Sequence, residues 1–275
     1  MIEPGIDVQI YPRDARIIVH RQRYQTPPHF GKRGKITEFS DKSRNRLLFC
    51  AFNARVEWLA FIGLTYPAEF PTDGSIVRAH RNKFLIYLRR KYPSSCFLWA
   101  LEFQTRGAPH IHLLVDQFIS LQWLSETWYQ IVGSGDEKHL RAGTRVEYLR
   151  GREHGASYLA KSYTAKRAQK QVPVEYQNVG RFWGMSRGLV VPQRTAWFEL
   201  SPQAMQVVRP LRRFVEKNVK VRRLRPVIEQ HKRKRFVKRK PKLLHLHSGL
   251  NGFTIHRGAQ VTTQILDAIG RPEKK

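Results

Sequence analysis

Two strand-like runs separated by a short turn constrain the fold of this chain more than any other feature. The first run is CFLWALEFQ and the second is HIHLLVDQF, with TRGAP between them. Aromatic and aliphatic runs on either side of a turn that contains Gly and Pro are typical of a β-hairpin. We therefore expect this hairpin to fix the arrangement of the neighbouring elements.

The segments around the hairpin alternate between strand and helix patterns. A buried strand and an amphipathic helix are predicted before it, and a second helix that opens at Ser120 and a short strand are predicted after it. The four segments are AFIGLTY, GSIVRAHRNKFLIYLRRKY, SLQWLSETWYQIV and TRVEYL. The resulting order, β-α-β-β-α-β, predicts an α+β fold with a ferredoxin-like (RRM-like) antiparallel sheet and both helices on one face.

The remaining segments suggest three regions. Residues 1–40 contain four prolines and little periodicity, so we expect an irregular N-terminal arm with one short strand at ARIIVH. Residues 41–205 form the main domain, which opens with a helix at Asp41 and adds a helix over HGASYLAKSYTAKRAQK and a strand over TAWFEL. Residues 206–275 form a basic C-terminal region.

The charge of the chain indicates a polyanionic partner. Fifty Lys and Arg residues face 21 Asp and Glu residues, a formal net charge of +29. Residues 209–242 alone hold sixteen of the basic residues against Glu216 and Glu229. We expect an extended basic tail there that contacts phosphates, with Arg233, Lys234 and Arg235 at its centre; a solvated segment without a ligand is the alternative.

The sequence also indicates where the protein resides. It has no run of about 18 apolar residues, and acidic residues lie near its start, so we expect neither a membrane span nor a secretory signal. Two cysteines, Cys50 and Cys96, lie in apolar surroundings, and we expect both to be buried, reduced thiols. We expect a cytoplasmic protein.

The second hairpin strand carries a candidate metal site. His110 and His112 are two residues apart, which places both imidazoles on one face of the strand. Glu102 and Gln104 share one face of the partner strand, and either one is a candidate third ligand. Two His and one oxygen ligand suit an open site for a divalent ion. The pair His245 and His247 has the same spacing but follows KRKPK rather than a carboxylate-bearing strand, so we expect no site there.

The helix that follows the predicted sheet contains two Tyr-x-x-Lys units. Tyr158 and Lys161 form the first, and Tyr163 and Lys166 the second. Residues three apart on a helix are neighbours. A phenol attacks a phosphodiester when a nearby ammonium and a polarised phosphate oxygen stabilise the developing charge. The helix is therefore a candidate source of a nucleophile.

Three segments together resemble the motifs of the HUH endonucleases, and specifically the rolling-circle replication initiators of plasmids and filamentous phages. They are FIGLTYP, LEFQTRGAPHIHLLV and YLAKSYTAK, and the similarity spans roughly residues 41–190. The resemblance implies that His110, His112 and Glu102 hold Mg²⁺ or Mn²⁺. It further implies that a tyrosine nicks one DNA strand, becomes linked to the 5′ phosphate and leaves a 3′ hydroxyl that primes replication.

The same resemblance implies a replication origin as substrate and a bacterial host cell as setting. Since no G-x-x-x-x-G-K-[ST] stretch is present, unwinding is expected to come from a host helicase, with a host polymerase extending the 3′ end. Two alternatives stay open. One is a ferredoxin-like nucleic-acid-binding protein without catalysis, and the other is a relaxase or transposase that shares the chemistry.

One departure from the family pattern concerns the tyrosines. Two-tyrosine members of the family have tyrosines four residues apart, whereas Ser162 sets Tyr163 five residues after Tyr158. Five steps of about 100° place the two rings about 140° apart on a helix, so we expect one nucleophile. Tyr158 is favoured over Tyr163, and Lys161 is expected to steady the phosphate or the tyrosinate.

Several other residues are candidates for DNA contact. Arg106 in the hairpin turn, Arg181 and Arg187 are expected to meet phosphates. Trp183 is expected to stack on a base, with burial under the sheet as an equally good alternative. Thr65 and Tyr66, at the end of the first strand, are assigned to structure.

Overall fold

A computed structural model of the chain describes residues 5–20, 36, 38–165, 172–199, 208–209, 213 and 251–269, with only the backbone for residues 161–165, 251–253 and 268–269. The chain divides into two compact units. The larger unit is His29–Val191, and the smaller one combines the two chain ends, Met1–Pro28 and Pro192–Lys275.

The α+β class is confirmed, since the described residues form two antiparallel sheets and six α-helices. Within these residues, the larger unit contains five strands, five helices and one 3-10 turn. Their bounds are α1 Asp41–Phe52, β3 Ala60–Thr65, α2 Gly74–Lys91, β4 Phe97–Phe103, β5 Pro109–Val115, α3 Leu121–Val132, α4 Glu137–Ala142, β6 Thr144–Tyr148, α5 Arg152–Ala165, the 3-10 turn Val174–Tyr176 and β7 Trp183–Met185.

The predicted order of elements around the hairpin is also confirmed. The strand order in the larger sheet is β6-β3-β5-β4-β7, and every neighbouring pair is antiparallel. The first four strands have the arrangement compatible with a ferredoxin-like fold, in which the first and third strands are central. The short helix α4 and the edge strand β7 are additions that the sequence did not predict.

Side-chain caps set the helix starts. Ser40 caps α1, Asp73 caps α2, and Ser120 caps α3, where its hydroxyl accepts a hydrogen bond from the Trp123 amide. Each cap satisfies an amide that has no partner within its helix. Helix α3 ends at Gly133, whose φ of 64° lies in the left-handed region.

The two faces of the larger sheet are covered by different helices. On one face, Arg81 of α2 lies over the Trp99 ring of β4, 4.1 Å from its centroid, and Phe84 of α2 meets Trp128 of α3. On the other face, α5 packs Tyr158 against Phe61 of β3. The strand alternation thus separates a helix-packed core from the face that carries the candidate histidines.

The smaller unit is a four-stranded antiparallel sheet with a helix against it. Its elements are β1 Gly5–Ile10, β2 Ala15–His20, β8 Arg194–Glu199, β9 Asn251–Ile255 and α6 Ala259–Ile269, in the strand order β8-β1-β2-β9. Ile6, Val8 and Ile17 line its core together with Ile255 and Leu266. Burying these apolar side chains requires both chain ends, so neither end forms this core alone.

This pairing differs from the predicted division into an arm, a main domain and a tail. The strand expected at ARIIVH is present as β2, and the strand over TAWFEL as β8. The N-terminal segment is not irregular between residues 5 and 10, because β1 pairs there with both β2 and β8. Strand β9 and helix α6 occupy part of the range that we assigned to the basic tail.

Some predictions concern residues outside those described. Arg233, Lys234 and Arg235, the pair His245 and His247, and most of residues 209–242 are among them. Cys50 and Cys96 are buried and form no disulfide, as expected. Among the residues described, no helix combines the length and the apolar character needed to cross a membrane.

Candidate active site

The register of the β4–β5 hairpin brings the predicted metal ligands together. Glu102 pairs directly with His110, and Ala100 pairs with His112. Because side chains alternate along a strand, Glu102, His110 and His112 all lie on the same face of the sheet. The five-residue turn between the strands therefore sets the proximity that the sequence left open between Glu102 and Gln104.

Glu102 and His112 are in direct contact. The Glu102 Oε2 atom lies 3.2 Å from His112 Nε2, and both residues are buried. The ring centroids of His110 and His112 are 4.3 Å apart, and the rings are nearly perpendicular. Gln104 lies beyond the end of β4, where its Oε1 accepts a hydrogen bond from Arg106 Nε. The geometry thus favours Glu102 over Gln104 as the third ligand.

Thr65 orients the His110 ring. Its Oγ1 atom lies 2.8 Å from His110 Nδ1, across the register pair that joins β3 to β5. The hydrogen bond at Nδ1 leaves Nε2 on the opposite side of the ring, the atom with which a histidine held in this way binds a metal. Sequence reasoning assigned Thr65 to structure and missed this contact.

The side chains fit a divalent ion in chemical type and in adjacency. Two ligand atoms about 2.1 Å from one ion, and about 90° to 110° apart, are separated by about 3.0 to 3.4 Å. The 3.2 Å between Glu102 Oε2 and His112 Nε2 is within this range. Among the residues described, however, no three His, Cys, Asp or Glu side chains are gathered into a complete metal site. Two of the ligands are therefore already spaced for an ion, and His110 completes the set.

Tyr158 lies on the same face as the histidines. The Phe61 ring contacts His112 on β5, with centroids 5.0 Å apart, and Tyr158 on α5, with centroids 4.7 Å apart. The Tyr158 hydroxyl donates a hydrogen bond of 2.8 Å to Glu147 Oε1 on β6. This hydrogen bond, partial burial and the charge of Glu147 raise the pKa of Tyr158, and Arg145 opposes the shift.

Arg145 and Glu147 bring opposite charges to the edge of this face. Arg145 pairs with Gly63 on β3, which in turn pairs with His112, so these three positions form one row across the sheet. Arg145 Nη2 forms an ion pair with Glu147 Oε1. The sequence predicted the strand that carries both residues but assigned neither a role.

The other predicted site residues are less directly connected to this face. Tyr163 and Lys161 lie on α5, but their side chains are not among those that the structure describes. Arg181 and Arg187 are exposed. Trp183 is half-buried, and its Nε1 donates to Ser43 Oγ, so its indole N–H is used within the protein. Their contacts with DNA remain predictions.

Arg106 joins the hairpin turn to the loop after β3. Its guanidinium donates to the carbonyl oxygens of Tyr66 and Pro67, at 2.6 Å and 2.7 Å, and lies over the Phe70 ring. These contacts give Arg106 a structural role, and a phosphate contact through its exposed edge remains a prediction.

Comparison with known proteins connects this region to replication. Residues 59–171 match the model of a family of replication-associated proteins that is named after ORF2. The matched segment includes every strand from β3 to β6 and the helix α5, and hence Glu102, His110, His112 and Tyr158. It is consistent with a rolling-circle replication initiator. No curated protein and no solved structure matches the chain.

We predict that Glu147→Gln lowers the pKa of Tyr158. The amide oxygen still accepts a hydrogen bond, but the negative charge that opposes ionisation of the phenol is gone. The measurement is a pH titration of ¹³C-labelled tyrosine by NMR, with the Tyr158 signal assigned from Tyr158→Phe. The control is Glu137→Gln, which removes an exposed carboxylate paired with Arg141 and should leave the titration unchanged. An unshifted Tyr158 in Glu147→Gln would contradict the contact.

Proposed function

We propose that this protein nicks and rejoins one strand of DNA at a replication origin, by attack of Tyr158 on a backbone phosphate. The metal-binding side chains and the tyrosine have the composition expected of a rolling-circle initiator. The match of residues 59–171 to a family of replication-associated proteins supports the same class. The net charge of +29 supports a nucleic-acid substrate.

One observation carries the proposal: Phe61 connects the metal-binding pair to the tyrosine. Its ring contacts His112 and Tyr158, so a phenol and a candidate metal site share one face of the sheet. The two groups come from elements that are far apart in the chain and are brought together only by the fold. A phosphate bound at the histidines would lie in the neighbourhood of the Tyr158 hydroxyl, as covalent catalysis requires.

The chemistry divides one difficult hydrolysis into two reversible transfers. The Tyr158 oxygen forms a bond to phosphorus, and the bond from phosphorus to the 3′ oxygen breaks, so the strand is cut without loss of the phosphodiester energy. A divalent ion held by His110, His112 and Glu102 would supply Lewis-acid polarisation of the phosphate. The free 3′ hydroxyl then primes synthesis, and its attack on the phosphotyrosine restores the strand.

The remaining partners follow from the same proposal. We assign strand unwinding to a host helicase and extension to a host polymerase, in the cytoplasm of a bacterial cell. The exposed Arg181 and Arg187 and the basic residues 209–242 would hold the phosphate backbone, which positions the DNA without specifying its sequence. A relaxase or transposase would use the same chemistry on different DNA.

The direct test is covalent adduct formation. Tyr158→Phe keeps the ring and its packing on Phe61 but lacks the attacking oxygen, so we expect no adduct with a labelled single-stranded origin oligonucleotide. Tyr163→Phe is the matched control and should retain most of it. Peptide mapping of the wild-type adduct identifies the residue that carries the DNA. An adduct on Tyr163 alone would reverse the assignment, and cleavage with no adduct on either tyrosine would refute the covalent mechanism.

The metal assignment has its own test. We expect His110→Ala and His112→Ala to abolish Mn²⁺ binding and nicking while leaving DNA affinity nearly intact. Thr65→Val, which removes the hydrogen bond to His110 Nδ1, should weaken Mn²⁺ binding by about 10- to 100-fold. Calorimetric titration with Mn²⁺ measures this directly. His247→Ala is the control and should change nothing; an equal effect in that variant would show that the His-x-His spacing was misleading.

The role of the basic tail is tested through salt. Replacing Arg233, Lys234 and Arg235 by Gln should lower the slope of log affinity against log salt by about 0.9 for each phosphate on duplex DNA that the tail no longer neutralises. The measurement is fluorescence anisotropy over a range of NaCl concentrations. The control removes the same charge from α2, by replacing the exposed Arg78, Arg90 and Lys91 by Gln. An equal fall in both triple variants would show that total charge, not the tail, determines the slope.

A further inference from the structure

One carboxylate oxygen on β6 holds both the candidate nucleophile and an exposed cation. Glu147 Oε1 accepts the hydrogen bond from the Tyr158 hydroxyl and also meets Arg145 Nη2. Among the side chains that the structure describes, these are the titratable or charged groups in contact with Glu147. The proton of the proposed nucleophile is thus already directed at a carboxylate, which is the arrangement required of a nucleophile and its base.

The two partners of Glu147 differ in how firmly they are held. The Tyr158 ring packs on Phe61, whose side chain is buried. The Arg145 side chain is 75% exposed, while that of Glu147 is 22% exposed. A guanidinium with this exposure loses little when it exchanges one anion for another. Arg145 is therefore able to leave Glu147 while Tyr158 stays.

The alternative anion for Arg145 would arrive beside Gly63. A Cβ built on Gly63 would lie 3.5 Å from His110 Cε1, 3.6 Å from His110 Nε2 and 3.9 Å from the Arg145 Cβ. Gly63 thus leaves a place without a side chain between the His110 ring and the base of Arg145. A phosphate that approaches His110 over Gly63 comes within reach of the Arg145 fork, which suits phosphate oxygens.

We propose that Glu147 accepts the proton of Tyr158 during DNA cleavage, and that Arg145 restrains Glu147 until a DNA phosphate draws the guanidinium away. The inference rests on the proposed function, since it assigns the base for the same attack. Its physical basis is competition for one cation. A carboxylate beside a guanidinium is a weaker base than the same carboxylate alone, so transfer of Arg145 to the phosphate strengthens the base when substrate is present.

The proposed step balances in atoms and charge. The Tyr158 oxygen bonds to phosphorus as its proton passes to Glu147 Oε1, and the 3′ oxygen leaves with the electron pair of the broken P–O bond and takes a proton from solvent. In the rejoining direction, the protonated Glu147 returns its proton to the departing tyrosine oxygen. One residue thus acts as base in cleavage and as acid in religation, as microscopic reversibility requires.

The resting state agrees with this assignment. The hydrogen bond to Glu147 raises the pKa of Tyr158, so the phenol is kept protonated before substrate arrives. A protonated phenol does not react with stray electrophiles or bind a metal ion. Attack therefore depends on a base that acts at the moment of bond formation, rather than on a tyrosinate formed beforehand.

The decisive experiment is single-turnover adduct formation by the full chain of Glu147→Gln. Gln keeps the size and the hydrogen-bond acceptor of Glu but takes no proton, so we expect the rate to fall by about 10²- to 10⁴-fold with unchanged affinity for the oligonucleotide. In the wild type, the rate should decline at acid pH as Glu147 becomes protonated. In Glu147→Gln this decline should vanish, and the rate should instead increase with pH as the phenol ionises unaided.

A structural role for Glu147 predicts a different result. If the carboxylate only positions Tyr158, Glu147→Gln should react at nearly the wild-type rate with the wild-type pH profile, and that outcome would overturn the inference. Glu137→Gln is the matched control, and thermal melting shows whether each variant is folded. Loss of adduct in Tyr158→Phe together with full activity in Glu147→Gln would refute the base while leaving the proposed function intact. Adduct formation in Tyr158→Phe would refute the proposed nucleophile itself.

Arg145→Ala tests the restraint. Without the guanidinium, Glu147 should become a stronger base, and the acid limb of the pH profile should move to higher pH. The oligonucleotide concentration needed for half-maximal rate should increase, because alanine cannot bind the phosphate. Arg145→Lys keeps the charge and should restore part of both effects. An Arg145→Ala variant with an unshifted profile and unchanged half-saturation would refute the role of Arg145.

Discussion

Thr65 closes the central strand of the larger sheet, and each of its polar groups is bonded. Its amide donates to Gly143 O, and its carbonyl oxygen accepts a hydrogen bond from Trp128 Nε1 and meets His139 Nε2 at 2.9 Å. Its hydroxyl meets His110. Helices α3 and α4 are therefore tied to the residue that orients a candidate metal ligand. Movement of either helix would be transmitted to the His110 ring through one backbone position, and this explains why the candidate site depends on the whole sheet and its helices.

The division of the sheet into two faces separates stability from chemistry. Apolar side chains such as Leu98 and Phe84, together with Trp128, are fully buried, and α2 and α3 supply two of them. The histidine face instead carries groups that are costly to bury without partners, of which Glu102 is the extreme case. The contact of Glu102 with His112 offsets part of that cost. A site of this kind is compatible with a stable fold because the opposite face provides a large apolar core.

The sequence predicted the parts of the site that depend on short-range geometry. A five-residue turn leaves few registers for a hairpin, so Glu102, His110 and His112 were correctly placed on one face. The roles of Thr65, Arg145 and Glu147 depend instead on pairings of β3 with β5 and β6, which join segments far apart in the chain. The alternation in TRVEY shows that Arg145 and Glu147 share a face, but not which face. Likewise, β1 and β9 form a sheet whose pairing no local pattern indicates.

The Arg106 contacts bear on the entropy of substrate binding. The guanidinium holds the tip of the β4–β5 hairpin against the carbonyl groups of Tyr66 and Pro67, directly after the end of β3. The two strands that carry Thr65 and His110 are thus braced at the end where the candidate ligands lie. A site that is rigid before its substrate arrives loses less conformational freedom on binding, so more of the interaction energy remains for affinity and for catalysis. The ordering of DNA binding is then borne by the nucleic acid and by long basic side chains, while the reacting groups keep one arrangement throughout.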